Sequence, residues 1–253
     1  MDKLVIGNIK MNILSPLDRQ RYLDNFKKEL GTKKFRKTEI VLCPPFIHLE
    51  GFKKFIGKKI KTGAQNMFWK KEGAFTGEIS SVMIKNLGCD YVLVGHSERR
   101  KYFCETGEEM NLKIAEALKI GVKPVICIGE SRTEKDLNET MEIITRQMNE
   151  ALAGVSRTKA ENIIIVYEPI WAVGSDQTPT SHEIMEAKLL IRKILVGMFD
   201  KKYAEKVKIL YGGSVDAKTA KEVCIEPGMD GVLVGRESLV PYEFIKICEI
   251  ING

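Results

Sequence analysis

Eight short apolar runs, each followed by a stretch of helical period, restrict what this chain can fold into more than any other feature. KLVIGN (3–8), EIVLCPP (39–45), IKTGAQN (60–66) and YVLVGHS (91–97) fill the first half, and KPVICIGE (123–130), NIIIVYEP (162–169), KILYGGS (208–214) and GVLVGRES (231–238) the second. Runs of this length and apolarity read as parallel strands buried on both faces. Between them apolar residues recur near every 3.6 positions. Examples are Leu17, Leu23, Phe26 and Leu30; Leu112, Ala115, Leu118 and Ile120; and Ile184, Ala187, Leu190, Ile191 and Leu195. Thr180 with Glu183 three residues on reads as a capping box, and Asp216 marks the entry of the seventh helix. Alternating strands and helices require a parallel sheet. Eight units in 253 residues fit a closed (β/α)8 barrel, one domain over residues 1–253, better than an open doubly wound sheet. The open sheet calls for GxGxxG after its first strand, where this chain has GNIKMN.

Composition is that of an ordinary soluble globular protein, 44% hydrophobic and 29% charged. The net charge of +6 suits an anionic small molecule as well as nucleic acid, so charge alone does not choose. Lysines concentrate in GTKKFRK (31–37) and FKKFIGKKIK (52–61), where Phe52, Phe55, Ile56 and Ile60 recur at helix-like spacing. That pattern reads as the solvated face of an amphipathic helix, and no nucleic-acid partner is expected. Cys43, Cys89, Cys104, Cys127, Cys224 and Cys248 form no CxxC pair and no metal-like spacing with His48, His96 and His182. Reduced thiols in the cytoplasm and no bound metal are the expectation. The apolar stretch in MDKLVIG is too short for a signal peptide, and no segment reaches membrane-span length, so no membrane partner is expected.

In such barrels the chemistry sits at the C-terminal ends of the strands. Strand one delivers Asn8 and Lys10 there, strand four His96, Ser97 and Glu98, strand five Cys127 and Glu130, and strand six Glu168. Glu168, ending an Ile- and Val-rich run, is either a structural ion-pair partner or a group that handles protons. Cys127 reads as a small core residue. Gly212, Gly213, Ser214, Gly235 and Arg236, in the turns after strands seven and eight, are candidates for a phosphate seat, since glycine lets backbone N–H groups approach an anion closely. His96 precedes a segment able to begin a helix, whose N-terminus disfavours imidazolium. Lys10 either pairs with Glu98 or stabilises negative charge developing on an oxygen. A base, a neutral donor, a fixed cation and a phosphate cradle describe proton abstraction beside a carbonyl of a small phosphorylated substrate, with no cofactor.

From about Gly7 to Ser238 the chain closely resembles the triosephosphate isomerase family. The resemblance rests on NIKMN (8–12), GAQN (63–66), GAFTGEIS (73–80), VGHSERR (94–100), CIGE, YEPIWAVG, YGGSV and the GVLVG of strand eight. It implies cofactor-free interconversion of dihydroxyacetone phosphate and D-glyceraldehyde 3-phosphate through an enediolate. Glu168 would shuttle the proton, Lys10 would supply positive charge, and Asn8 and Glu98 would orient their neighbours. His96 would act as neutral imidazole, for which this family is itself the established example of pKa tuning. Pro169 and Trp171 match the first hinge of a closing lid and Thr178 lies at the second; gating by this lid is likewise a family example. Gly174 would reach the phosphate on closure, joined by Ser214, Gly235 and Arg236. GAFTGE resembles a loop inserted into a neighbouring subunit, which would bring Thr76 to the partner's Asn12 and Glu98 in a homodimer.

The chain departs from the family pattern at Ile9, usually tryptophan; at Asp176 and Gln177, commonly glycine and lysine; at Pro179, usually alanine; and at Arg236, which replaces the second glycine of the strand-eight turn. Within enzymes the rival is another phosphate-binding barrel such as a pentose-phosphate epimerase, expected to need metal ligands at several strand ends, where only His96 is available. The rival from another class is a barrel kept as a phosphate-ligand binding or scaffold protein.

Overall fold

The strand segments are rich in Val, Ile and Leu, and the eight described strands pair side by side in chain order until the last meets the first. A computed structural model describes residues 2–56, 60–175 and 177–253, with the side chain of Ile56 also outside the description. The strands are β1 (Lys3–Asn8), β2 (Thr38–Cys43), β3 (Lys61–Ala64), β4 (Tyr91–Val94), β5 (Lys123–Ile128), β6 (Ile164–Tyr167), β7 (Lys208–Tyr211) and β8 (Gly231–Val234). All pairs are parallel, and Leu4 of β1 stands opposite Glu39 of β2 on one side and Gly231 of β8 on the other. The expected closed (β/α)8 barrel is therefore observed, with strands shorter at most ends than the apolar runs suggested.

Alternation along each strand separates two cores. Leu4, Ile6, Val41, Cys43, Tyr91, Leu93, Val125, Cys127, Ile164, Val166, Leu210 and Leu233 form one apolar cluster, filling the barrel. Their neighbours of opposite parity, including Val5, Leu42, Val92, Ile126 and Ile165, join the larger cluster shared with the helices. Cys127 is fully buried, as expected of a core residue.

Helices α1 (Pro16–Leu30), α2 (Leu49–Ile56), α3 (Ser81–Asn86), α4 (Ser97–Phe103), α5 (Gly107–Ile120), α6 (Arg132–Asp136), α7 (Thr140–Leu152), α8 (Ser181–Phe199), α9 (Lys201–Ala204) and α10 (Pro241–Asn252) lie in the connections. In α8 the periodic residues Ile184, Ala187, Ile191 and Leu195 are buried as expected. Three readings need correction. The stretch 52–61 is not one helix: α2 ends at Ile56, with Phe52 on its buried face as an amphipathic helix requires, and Ile60 leads into β3; residues 57–59 lie outside the described residues. The buried face of α5 is Met110, Ile114, Ala117 and Leu118, while Leu112 and Ala115 are exposed. The helix is turned so that Lys113 also goes inside, where it donates to Asn66 Oδ1 at 2.9 Å and pairs with Glu105. No α-helix starts at Asp216: its carboxylate accepts from the backbone N–H groups of Lys218 and Thr219, and a turn leads to a wide π-type segment, Lys221–Ile225.

The capping box at the start of α8 is present in both halves, Thr180 Oγ1 accepting from the Glu183 N–H and Glu183 accepting from the Thr180 N–H. Thr180→Ala is expected to cost about 1 kcal/mol in urea unfolding. The bond from Lys135, outweighing partial burial, together with the Thr180 bonds holds the Glu183 carboxyl below its ordinary value of 4.5. Its stabilisation is accordingly complete above 4.5 and disappears as pH falls through the lower, folded-state value. In Thr180→Ala the acid limb of the stability profile should shift toward higher pH; superimposable limbs would contradict this.

Candidate active site at the C-terminal rim

Strand parity carries Asn8, two residues beyond Ile6, and Glu168, two beyond Val166, to the inside of the rim. There they help to line a cleft of about 430 Å³ together with Lys10, His96, Gly174, Thr178, Ser214, Gly235 and Arg236. Glu98, Pro169 and Trp171 do not line it.

Glu168 is fully buried, so its charge depends on the bonds it accepts. Ser97 supplies two, from its N–H to Oε2 at 3.0 Å and from its hydroxyl to Oε1 at 2.8 Å. His96 Nε2 lies 3.2 Å from Oε1. His96 caps α4, and its Nδ1 accepts from the Glu98 N–H at 3.2 Å. An Nδ1 that accepts carries no proton, which leaves the proton of the neutral ring on Nε2, facing the carboxylate. The ring arrives there because Gly95 has φ 73, a left-handed conformation that favours glycine.

Lys10 also sits at positive φ, 54°, without being glycine. Such backbone costs on the order of 1 kcal/mol and persists only where surroundings impose it. Asn8 Oδ1 accepts from its N–H at 3.1 Å, and Gln65 Nε2 donates to its carbonyl at 2.9 Å. Its ammonium is 2.5 Å from Glu98 Oε1. Gln65, which also donates to the Cys43 carbonyl, was quoted in the sequence only as part of a motif. Its position inside GAQN was the available signal.

The segment expected to form the lid is bonded to the turn after β7. Ser214 Oγ donates to the carbonyls of Ala172 (2.9 Å) and Ser175 (3.0 Å), and the Ser214 N–H donates to Ala172 as well. Of the groups expected to seat phosphate, Ser214 therefore serves the backbone of residues 172–175 here. Trp171 Nε1 and the Tyr167 hydroxyl both donate to Glu130 Oε1, at 2.8 and 3.1 Å, giving Glu130 a role that its place at a strand end did not disclose. Lys135 Nζ lies 3.8 Å from the Trp171 ring centre, a cation over an aromatic face. Asp176 lies outside the described residues. Thr76 and Asn12 are exposed and away from the cleft of their own chain, Asn12 donating to the Ile9 carbonyl at 2.7 Å. Among the described residues, no three His, Cys, Asp or Glu side chains gather as a metal site requires.

Close packing under Glu168 supplies a test. A β-carbon on Gly129 would stand 2.0 Å from the Glu168 carbonyl oxygen, a backbone atom that cannot step aside. Gly129→Ala should lower stability by about 1–3 kcal/mol in urea unfolding, the usual cost of overpacking. An unchanged midpoint would contradict the geometry.

The sequence model of the family described as triosephosphate isomerase matches residues 3–251. A triosephosphate isomerase of Dictyoglomus turgidum is 42% identical over 246 residues, 97% of this chain and 98% of its own. One of Dictyoglomus thermophilum is 45% identical over 217 residues, 85% and 87% of the two chains, and one of a Thermoanaerobacter species 41% over 245, covering 96% and 97%. A likeness running from the first strand to the last helix leaves no layer of the barrel outside it, and the chain belongs to the triosephosphate isomerase family.

Proposed function

We propose that this family member interconverts dihydroxyacetone phosphate and D-glyceraldehyde 3-phosphate, with Glu168 as the base. The observation that carries the assignment of roles is the 3.2 Å approach of Glu168 to His96 Nε2 in a cleft that Lys10 also lines. Glu168 takes a proton from the carbon beside the carbonyl, the C–H electron pair becomes the C=C bond of an enediolate, and the carbonyl oxygen takes the charge. His96 Nε2–H and the Lys10 ammonium face that oxygen, and proton exchange between the two oxygens passes through His96. Return of the proton from Glu168 to the neighbouring carbon gives the isomer. No cofactor takes part. Asn8 and Glu98 act by holding Lys10 and His96.

Binding exchanges one set of bonds for another. Closure about Pro169, Trp171 and Thr178 releases Ser214 from the lid carbonyls, so that its N–H, with those of Gly174, Gly235 and Arg236, receives the phosphate. Glu168 leaves Ser97 and turns to the substrate carbons. Excluding water then strengthens the electrostatics and protects the enediolate.

The working form in this reading is a homodimer of chains folded as one unit over residues 1–253, in the cytoplasm. Met11 and Leu14 after β1, Ile47 after β2, Phe75 after β3 and Tyr102 and Phe103 after β4 are exposed, an apolar surface of the kind that marks an interface. Thr76, at the tip of the loop bearing Phe75, then approaches Asn12 and Glu98 of the other copy. Six unpaired thiols suit the compartment.

A coupled assay with glyceraldehyde 3-phosphate tests the activity. Glu168→Gln should lower kcat by roughly two to four orders of magnitude, the range for losing general base catalysis; near-normal turnover defeats the role. Sedimentation equilibrium should return twice the mass of one chain, and a monomer at micromolar concentration defeats the dimer.

A further inference from the structure

Arg236 stands where the family usually has glycine, and its side chain has no counterpart in the roles assigned above. It opens a short 3-10 turn, Arg236–Leu239, with ordinary negative φ, so a β-carbon there is unstrained. The turn is held by Ser238, whose hydroxyl donates to the carbonyls of Asn8 (3.0 Å) and Gly235 (2.6 Å). From this base the guanidinium crosses the mouth of the cleft toward the lid: Nη2 lies 4.0 Å from where a β-carbon on Gly174 would stand. Arg236 thus spans the gap between the strand-eight turn and the part of the lid that closes over the phosphate.

The charges lining the cleft give this position a purpose. Among the described residues its cations are Lys10 and Arg236, against the carboxylates of Glu168, Asp216 and Glu237. A phosphate dianion therefore enters a lining that is net negative even with both cations counted. Lys10 is already paired with Glu98 at 2.5 Å. Asp216 stays ionised: burial opposes its charge, but the backbone N–H groups of Thr219 and Lys218 outweigh burial and hold its carboxyl below the usual range. Among the described residues no carboxylate lies within ion-pair distance of Arg236, whose planar fork suits two phosphate oxygens at once.

We propose that the Arg236 side chain is a charged clamp on the substrate phosphate, closing over it together with Gly174. The proposal rests on the isomerase reading for its ligand, but not on the identity of the base. The clamp grips a group remote from the reacting carbons, so its loss raises KM, and because it closes together with Gly174 its loss lowers kcat as well.

The test uses the full chain, with inorganic phosphate followed by titration calorimetry and glyceraldehyde 3-phosphate by steady-state kinetics. Arg236→Ala should weaken phosphate binding about tenfold, the scale of one charge-assisted hydrogen bond, and raise KM by a similar factor. Arg236→Lys should recover part of the loss, as a point charge without the fork. The affinity of the unmodified chain should also fall more steeply with salt than that of Arg236→Ala. Phosphate affinity unchanged in Arg236→Ala overturns the clamp, even if the enzyme isomerises normally. Loss of phosphate affinity in a chain that shows no isomerisation supports the clamp and overturns the isomerase reading instead.

Discussion

Each described strand of the barrel is hydrogen-bonded to a strand on either side, and this closure governs everything above it. A sheet with no open edge must be filled by its own side chains, so alternate residues of every strand point into a packed apolar interior. The next residue of the same parity beyond that interior has no apolar layer left to join. At Asn8 and Glu168 it is polar, and its side chain stands over a floor of Ile6 and Val166 that cannot yield. The rigidity of the site is thus a property of the core beneath it.

On this platform the polar groups of the rim hold one another. In the state described, Ser97 and His96 hold the buried carboxylate of Glu168 while Ser214 holds the lid by its backbone carbonyls. Each hydrogen-bond donor of Ser97 and Ser214 thus has an acceptor, in the Glu168 carboxylate or in the carbonyls of Ala172 and Ser175. On the proposed function, a phosphorylated substrate would replace both: a C–H proton for the carboxylate and phosphate oxygens for the Ser214 donors. In that reading substrate binding and lid closure are coupled, because both draw on the Ser214 donors that now hold Ala172 and Ser175.

Much of this was legible along the chain. The eight apolar runs predicted eight strands, and parity counted from those runs carries Asn8 and Glu168 to the rim. His96 shows where such counting stops. By parity it belongs with Val92 and Val94, outside the barrel; the turn at Gly95, φ 73, redirects it inward. The rotation of α5 was likewise misread, because burying Lys113 against Asn66 and Glu105 requires residues that a hydrophobic period does not register. In the lysine-rich stretch 52–61, Phe52 pointed to a helix, but the end of α2 and the start of β3 follow from strand pairing rather than from spacing.

The sequence alone determined the layer architecture, the identity of the chemical groups and the strand end at which each appears, because periodicity and chain order are local properties. Only tertiary structure decided how those groups meet. The tautomer of His96, the strained backbone of Lys10 held by Gln65, the capture of Ser214 by the lid and the direction of the Arg236 guanidinium all depend on partners far apart along the chain. Closing the ring of strands brings those partners within a few ångströms, and no local pattern records which of them will touch.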